Sequence, residues 1–172
     1  MWSYLVSDCV KMLPYLPYGA AAGGVYVLVR FVTNRGRDLP ALSLFGQFCL
    51  VTYLIVLAQI TLLSRVPGSR SHLDLILFST WGTTGRAHAY VVENGLLFIP
   101  FGILMPACVR DMDRFGYCTL SGYFLSTMIE YIQYLTERGY FQADDILMNT
   151  VGTIVGWFVF MLLSQALRLI RR

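Results

Sequence analysis

Residues 41–63 read ALSLFGQFCLVTYLIVLAQITLL, a run from Ala41 to Leu63 without a single Asp, Glu, Lys, Arg or His. As an α-helix rising 1.5 Å per residue, such a run is roughly 34 Å long, enough to cross the ~30 Å hydrocarbon core of a bilayer. Four further windows of this kind, bounded by charge, Pro or Gly, lie around it: Leu13–Val32, Tyr90–Cys108, Phe115–Thr136 and Ile146–Ile170. The predicted fold is therefore all-α, a polytopic membrane protein with five transmembrane helices in one bundle. Residues 1–172 are expected to form a single integral membrane domain. The N-terminus lacks the basic region of a signal peptide, because Asp8 offsets Lys11, so the first span is kept as a helix.

Composition points the same way. Apolar side chains make up 56% of the 172 residues and charged ones 13%, against about 25% charged in an average soluble domain. So few charges leave a soluble globular enzyme without a surface. The net charge of +3 comes from scattered Arg with no run of Lys, which excludes a nucleic-acid partner. Cys9, Cys49, Cys108 and Cys118 show no CxxC spacing and no neighbouring His, and they read as small apolar residues. No metal site and no cofactor is expected, since no fixed-spacing ligand motif, phosphate loop, HExxH or GxSxG occurs.

Lys and Arg beside the spans set orientation. With the N-terminus outside, eight of the 13 basic residues fall inside: Arg30, Arg35, Arg37, Arg110, Arg114, Arg168, Arg171 and Arg172. The expectation is N-out, C-in. The small residues Gly19 to Gly24 would let a neighbouring helix approach the first span closely, and Pro100 is expected to kink the third.

Ionisable groups inside spans cost roughly 2.5–3.5 kcal/mol each on insertion scales, so their positions carry the functional information. Ser126, Glu130, Gln133 and Glu137 form one stripe of the fourth span, with Glu130 roughly 9 Å below the interface. Glu130 needs a partner: an ion pair with Arg138 or Arg65, or a proton or ligand. The third span opens on Glu93 and Asn94, and the fifth on Asp144, Asp145 and Asn149. Asp144 or Asp145 could also simply cap its helix. In an alternating bundle all of these meet at one membrane face, together with Arg65 and the long segment Ser64–Ala89. Under the orientation above, that face is the outer one. His72 and His88 lie in this segment and read as solvated.

Three blocks resemble a known family, the VanZ-like membrane proteins, named for a teicoplanin-resistance protein of Gram-positive bacteria. They are Asn94–Gly102, Ser126–Gln133, and Arg138 with Asp144–Gly152; Thr61–Leu63 matches more weakly, and together they cover residues 47–160. The resemblance places the family's polar positions on Asn94, Glu130, Gln133, Arg138, Asp145 and Asn149. It implies teicoplanin-type glycopeptide resistance and a multi-pass protein of the bacterial cell membrane. The leading expectation is a non-enzymatic protein whose outer-leaflet polar site binds a cell-envelope lipid, a lipid-linked cell-wall precursor or a lipoglycopeptide. Its ligand-binding set is Arg65, Glu93, Asn94, Glu130, Gln133, Arg138, Asp144, Asp145 and Asn149, Arg being suited to phosphate and carboxylate. The alternative is a membrane hydrolase or transferase acting on a lipid-linked cell-wall substrate, with Glu130 and Asp145 as general acid and base.

Overall fold

The computed structural model describes residues 2–34 and 40–170. Helix α1 (Trp2–Met12) passes through one 3-10 turn (Leu13–Tyr15) into α2 (Leu16–Thr33). Helix α3 (Ala41–Ala58) ends in a single π turn (Gln59–Leu63), and α4 (Gly85–Cys108), α5 (Phe115–Leu135) and α6 (Ala143–Ile170) follow. The fold is all-α and of the polytopic membrane type. Among the described residues four stretches, Trp2–Thr33, Ala41–Leu63, Gly85–Cys108 and Ala143–Ile170, are long and apolar enough to cross a membrane. Helix α5, at 21 residues, matches them in length and is less apolar, because Ser126, Glu130, Gln133 and its tyrosines dilute it. The Arg35, Arg37, Arg171 and Arg172 part of the charge reading lies outside the described residues.

Where the boundaries differ from expectation, local chemistry gives the reason. Helix α4 starts at Gly85 rather than Tyr90, since Thr84 Oγ1 accepts a hydrogen bond from the Ala87 N–H at 3.2 Å and caps it. Helix α6 starts at Ala143, which draws Asp144 and Asp145 into its first turn. Helix α4 runs on as one helix through Pro100 and Pro106. Pro100 has no N–H to give the preceding turn, and beside that gap Tyr53 Oη donates to the Leu97 carbonyl at 3.0 Å.

Two five-residue strands, β1 (Arg70–Asp74) and β2 (Arg138–Gln142), pair in parallel, Arg70 opposite Arg138 and Asp74 opposite Gln142. This ladder ties the segment after α3 to the α5–α6 connection. On it His72 sits edge-on to its partner Tyr140, while His88 faces the Gly82 carbonyl.

Helices α4 and α6 pack through glycine. A side-chain carbon on Gly152 would fall on the Gly95 carbonyl, one on Gly156 on the Ile99 carbonyl, and one on Gly102 on the Thr153 carbonyl. With no hydrophobic drive between helices in lipid, such backbone-to-backbone approach is what holds them together. Gly19 and Gly23 of α2 meet Thr52, Phe48 and Val56 of α3 in the same manner, whereas Gly24 faces open space. The core proper is small: Leu57, Phe98, Phe101 and Ile129. Large apolar side chains such as Phe124, Met128 and Leu162 stand outward and exposed, as lipid-facing residues do.

Candidate functional site

The π turn at the end of α3 starts the site. Its wide i→i+5 geometry, marked by the Ser64 N–H on the Gln59 carbonyl at 2.9 Å, leaves neighbouring carbonyls free, and single π turns recur at functional sites. Helix α5 and the chain beyond it supply the donors: Gln133 Nε2 to the Thr61 carbonyl and Arg138 Nη1 to the Leu62 carbonyl, both at 2.9 Å. Arg65 follows, its guanidinium laid against Gly139, where any side chain would displace it. Although Arg65 is exposed along its length, desolvation by the protein around its guanidinium holds its pKa below the usual arginine value, and the charges of Glu130 and Asp145 act against the shift. Arginine so placed stays cationic.

Around it the helices close a chamber of about 120 Å³. Seven of the nine residues singled out from the sequence wall it: Arg65, Glu93, Asn94, Glu130, Gln133, Asp145 and Asn149. Glu130, Gln133 and Asn149 are buried, with 3–4% of their surface exposed. Glu130 finds its partner in the backbone, accepting from the Gln142 N–H at 3.1 Å, just ahead of α6 and its positive dipole end. Of the ion pairs among the described residues, Arg110–Asp111 and Arg114–Asp111 lie in the α4–α5 connection, and Lys11–Asp8 borders an opening shared with Glu93; none uses Glu130 or Asp145. Asn149 donates to Ser126 Oγ at 2.8 Å. Among the described residues two acceptors here, Asn149 Oδ1 and Glu93 Oε1, are buried with no hydrogen-bond partner, and the carboxyl group of Asp8 on α1 acts on Glu93 from beside it. A buried acceptor left in that state costs about 1–3 kcal/mol, so each marks a place for an incoming donor.

The chamber shares Arg65, Tyr90, Asn94, Gln133 and Asp145 with a wider cavity of about 440 Å³ beside it. Its outer wall adds Arg70, Arg86 and Tyr140, which the sequence reading did not single out. Arg70 is brought there by the β1–β2 ladder and Arg86 by the early start of α4. Neither feature has a hydrophobic period that would announce it.

Two of the nine residues stand apart from the cavity walls. Arg138 points to the end of α3 and holds the π turn. Asp144, 1% exposed, accepts from the Phe78 N–H at 2.5 Å, the Thr80 N–H at 3.0 Å and Thr80 Oγ1 at 2.6 Å. It clamps the segment beneath β1, where Phe78 adopts a left-handed backbone at φ 67°. Asp144→Asn replaces one acceptor oxygen by a donor that faces another donor. Hydrogen exchange of the Phe78 and Thr80 amides is expected to rise about 10- to 100-fold, as loss of 1.5–3 kcal/mol from bonds to a charged acceptor implies; unchanged exchange would show the clamp to be idle.

Fold and site together define a helical membrane protein with a buried, mixed-charge chamber at one end of its bundle. The chain belongs to the VanZ/LLP1 family, whose model matches residues 48–164. It is 28% identical over 123 residues to Protein VanZ of Enterococcus faecium, covering 70% of each chain. No solved structure matches it. The matched region contains every wall of the chamber except the part contributed by α1.

Proposed function

We propose that the chain is a multi-pass protein of the bacterial cell membrane whose chamber faces the outer leaflet and binds the polar head of a cell-envelope lipid or lipid-linked precursor. Binding there contributes to protection against teicoplanin-type glycopeptides, which act on cell-wall precursors outside the membrane. The observation that carries this reading is the presence in one chamber of Arg65 and the buried acceptor Asn149 Oδ1, which has no partner among the described residues, with the carboxyl of Glu93 beside them. The cationic group suits phosphate, with Arg70 and Arg86 beyond it. The acceptors suit hydroxyl, amide or amine groups attached to that phosphate. Such a head, anionic at one end and rich in donors at the other, matches a phospholipid or lipid-linked sugar better than it matches an ion.

Titration of phosphatidic acid against the protein in phosphatidylcholine nanodiscs tests the site. Arg65→Ala is expected to weaken binding about 10- to 100-fold, the worth of one or two hydrogen bonds to a charged group. Equal affinity in wild type and variant would remove Arg65 from the site. The enzymatic alternative draws support from Glu130 and Asp145 walling one chamber, the arrangement an acid/base pair needs. Turnover of a labelled lipid-linked precursor by purified protein, lost in both Glu130→Gln and Asp145→Asn, would replace binding by catalysis.

A further inference from the structure

At Glu93 the chamber adjoins a second space. Met12, Ile60, Glu93 and Leu97 wall the chamber on one side and, on the other, wall an apolar groove of about 270 Å³ between α1, α3 and α4. Beyond these four the groove is hydrocarbon, with Leu16, Leu57, Leu96 and Pro100 along it. Three neighbouring spaces therefore follow one another: a cavity with Arg70 and Arg86 in its wall, a hydrogen-bonding chamber, and an apolar groove. That is the polarity profile of one amphiphile read from phosphate to tail.

Helix α1 forms one wall of this groove. Leu5, Cys9 and Met12 are spaced as one helix face and line the groove. Leu5 is the buried residue of α1, whereas Trp2, Val6 and Val10 stand exposed on its other side. Asp8 and Lys11 border an opening shared with Glu93, at the polar end of the groove. The Glu93 carboxyl thus sits where a head would meet its chain, the place of a hydroxyl or amide N–H in many amphiphiles.

We infer that the groove holds one hydrocarbon chain of the amphiphile whose head occupies the polar chamber, with α1 as the wall between that chain and bulk lipid. The inference rests on the lipid-head reading of the chamber. Lipid tails are as apolar as the groove, so hydrophobicity alone gives a tail no reason to leave the bilayer. A head anchored at Arg65 supplies the reason, because it makes entry of its own chain an intramolecular event.

The test uses phosphatidic acid with a diazirine midway along one acyl chain, in phosphatidylcholine nanodiscs, with cross-links mapped by mass spectrometry. Cross-links are expected to concentrate on the groove residues of α1, α3 and α4, well above the outward-facing Phe124 and Leu162. Leu16→Trp and Leu96→Trp, at positions 46% and 47% exposed, fill the groove without burying new bulk in the core and should reduce its cross-links to the level of those outward positions. Binding of water-soluble glycerol phosphate should be unchanged in both variants. Groove cross-links no more frequent than those at Phe124 and Leu162, with glycerol phosphate still bound, would overturn the groove assignment alone. Concentrated groove cross-links without glycerol phosphate binding would support the groove and sink the reading of the polar chamber.

Discussion

Glu130→Gln is expected to abolish glycopeptide protection in a host made teicoplanin-tolerant by this protein, bringing inhibition back to the empty-vector level at unchanged abundance in the membrane. The side chain keeps its size, and its amide carbonyl can still accept from the Gln142 N–H that Glu130 holds at 3.1 Å. The fold therefore has little reason to respond. The chamber does: the Glu130 carboxyl group that walls it beside Arg65 becomes an amide that can no longer take up or release a proton, and an NH₂ group stands where an oxygen could accept from the ligand. A donor facing a donor in a desolvated chamber costs binding as well as failing to support it. Losing a single hydrogen bond to a charged group is worth about 10- to 100-fold in affinity, enough to remove protection that depends on occupancy. Full protection by the variant would take Glu130 out of the function.

Gly152→Ala carries the largest expected structural effect. The added methyl falls on the Gly95 carbonyl, so α4 and α6 must move apart and cannot relieve the clash by turning a side chain. Overpacking of this kind costs about 1–3 kcal/mol, occasionally more. For a chain of this size that lowers the melting temperature by roughly 2–12 °C. Gly24→Ala is the matched control, since a methyl there meets nothing within 4 Å, and its melting temperature should hold or rise slightly. Because Asn94 and Asn149 ride on the two separated helices, ligand binding should fall with the Gly152 variant even in the fraction that remains folded. Equal stability of the two alanine variants would contradict glycine-mediated packing as the link between α4 and α6.

Reading outward from Ala41–Leu63 located the long helices because a bilayer imposes a length and a polarity that a sequence must display. It located the chamber for the complementary reason: Glu130, Gln133, Asp145 and Asn149 are expensive inside spans, so each stands out against its neighbours. The features it did not show lack such a signature. The π turn at Gln59–Leu63 continues an apolar run without interruption. The β1–β2 ladder joins residues far apart in the chain whose side chains follow no period, and with it come Arg70 and, from the Thr84-capped start of α4, Arg86 at the cavity mouth. Arg138 and Asp144 have the right chemistry for a ligand, yet backbone from distant parts of the chain takes them up. The Leu62 carbonyl and the Phe78 and Thr80 amides are brought to them only by the folded packing of α3, α5 and α6, which no local spacing displays. Helix α1 was missed because Asp8 and Lys11 break its apolar pattern, although those same residues mark the polar end of the groove it lines.

The most direct test of the central claim is mass spectrometry of what co-purifies with the protein from its membrane, for wild type, Glu130→Gln and Arg65→Ala side by side. A phosphate-bearing lipid retained by the wild type and lost from both variants is the predicted result. The same lipids bound to all three proteins in the same amounts would contradict it.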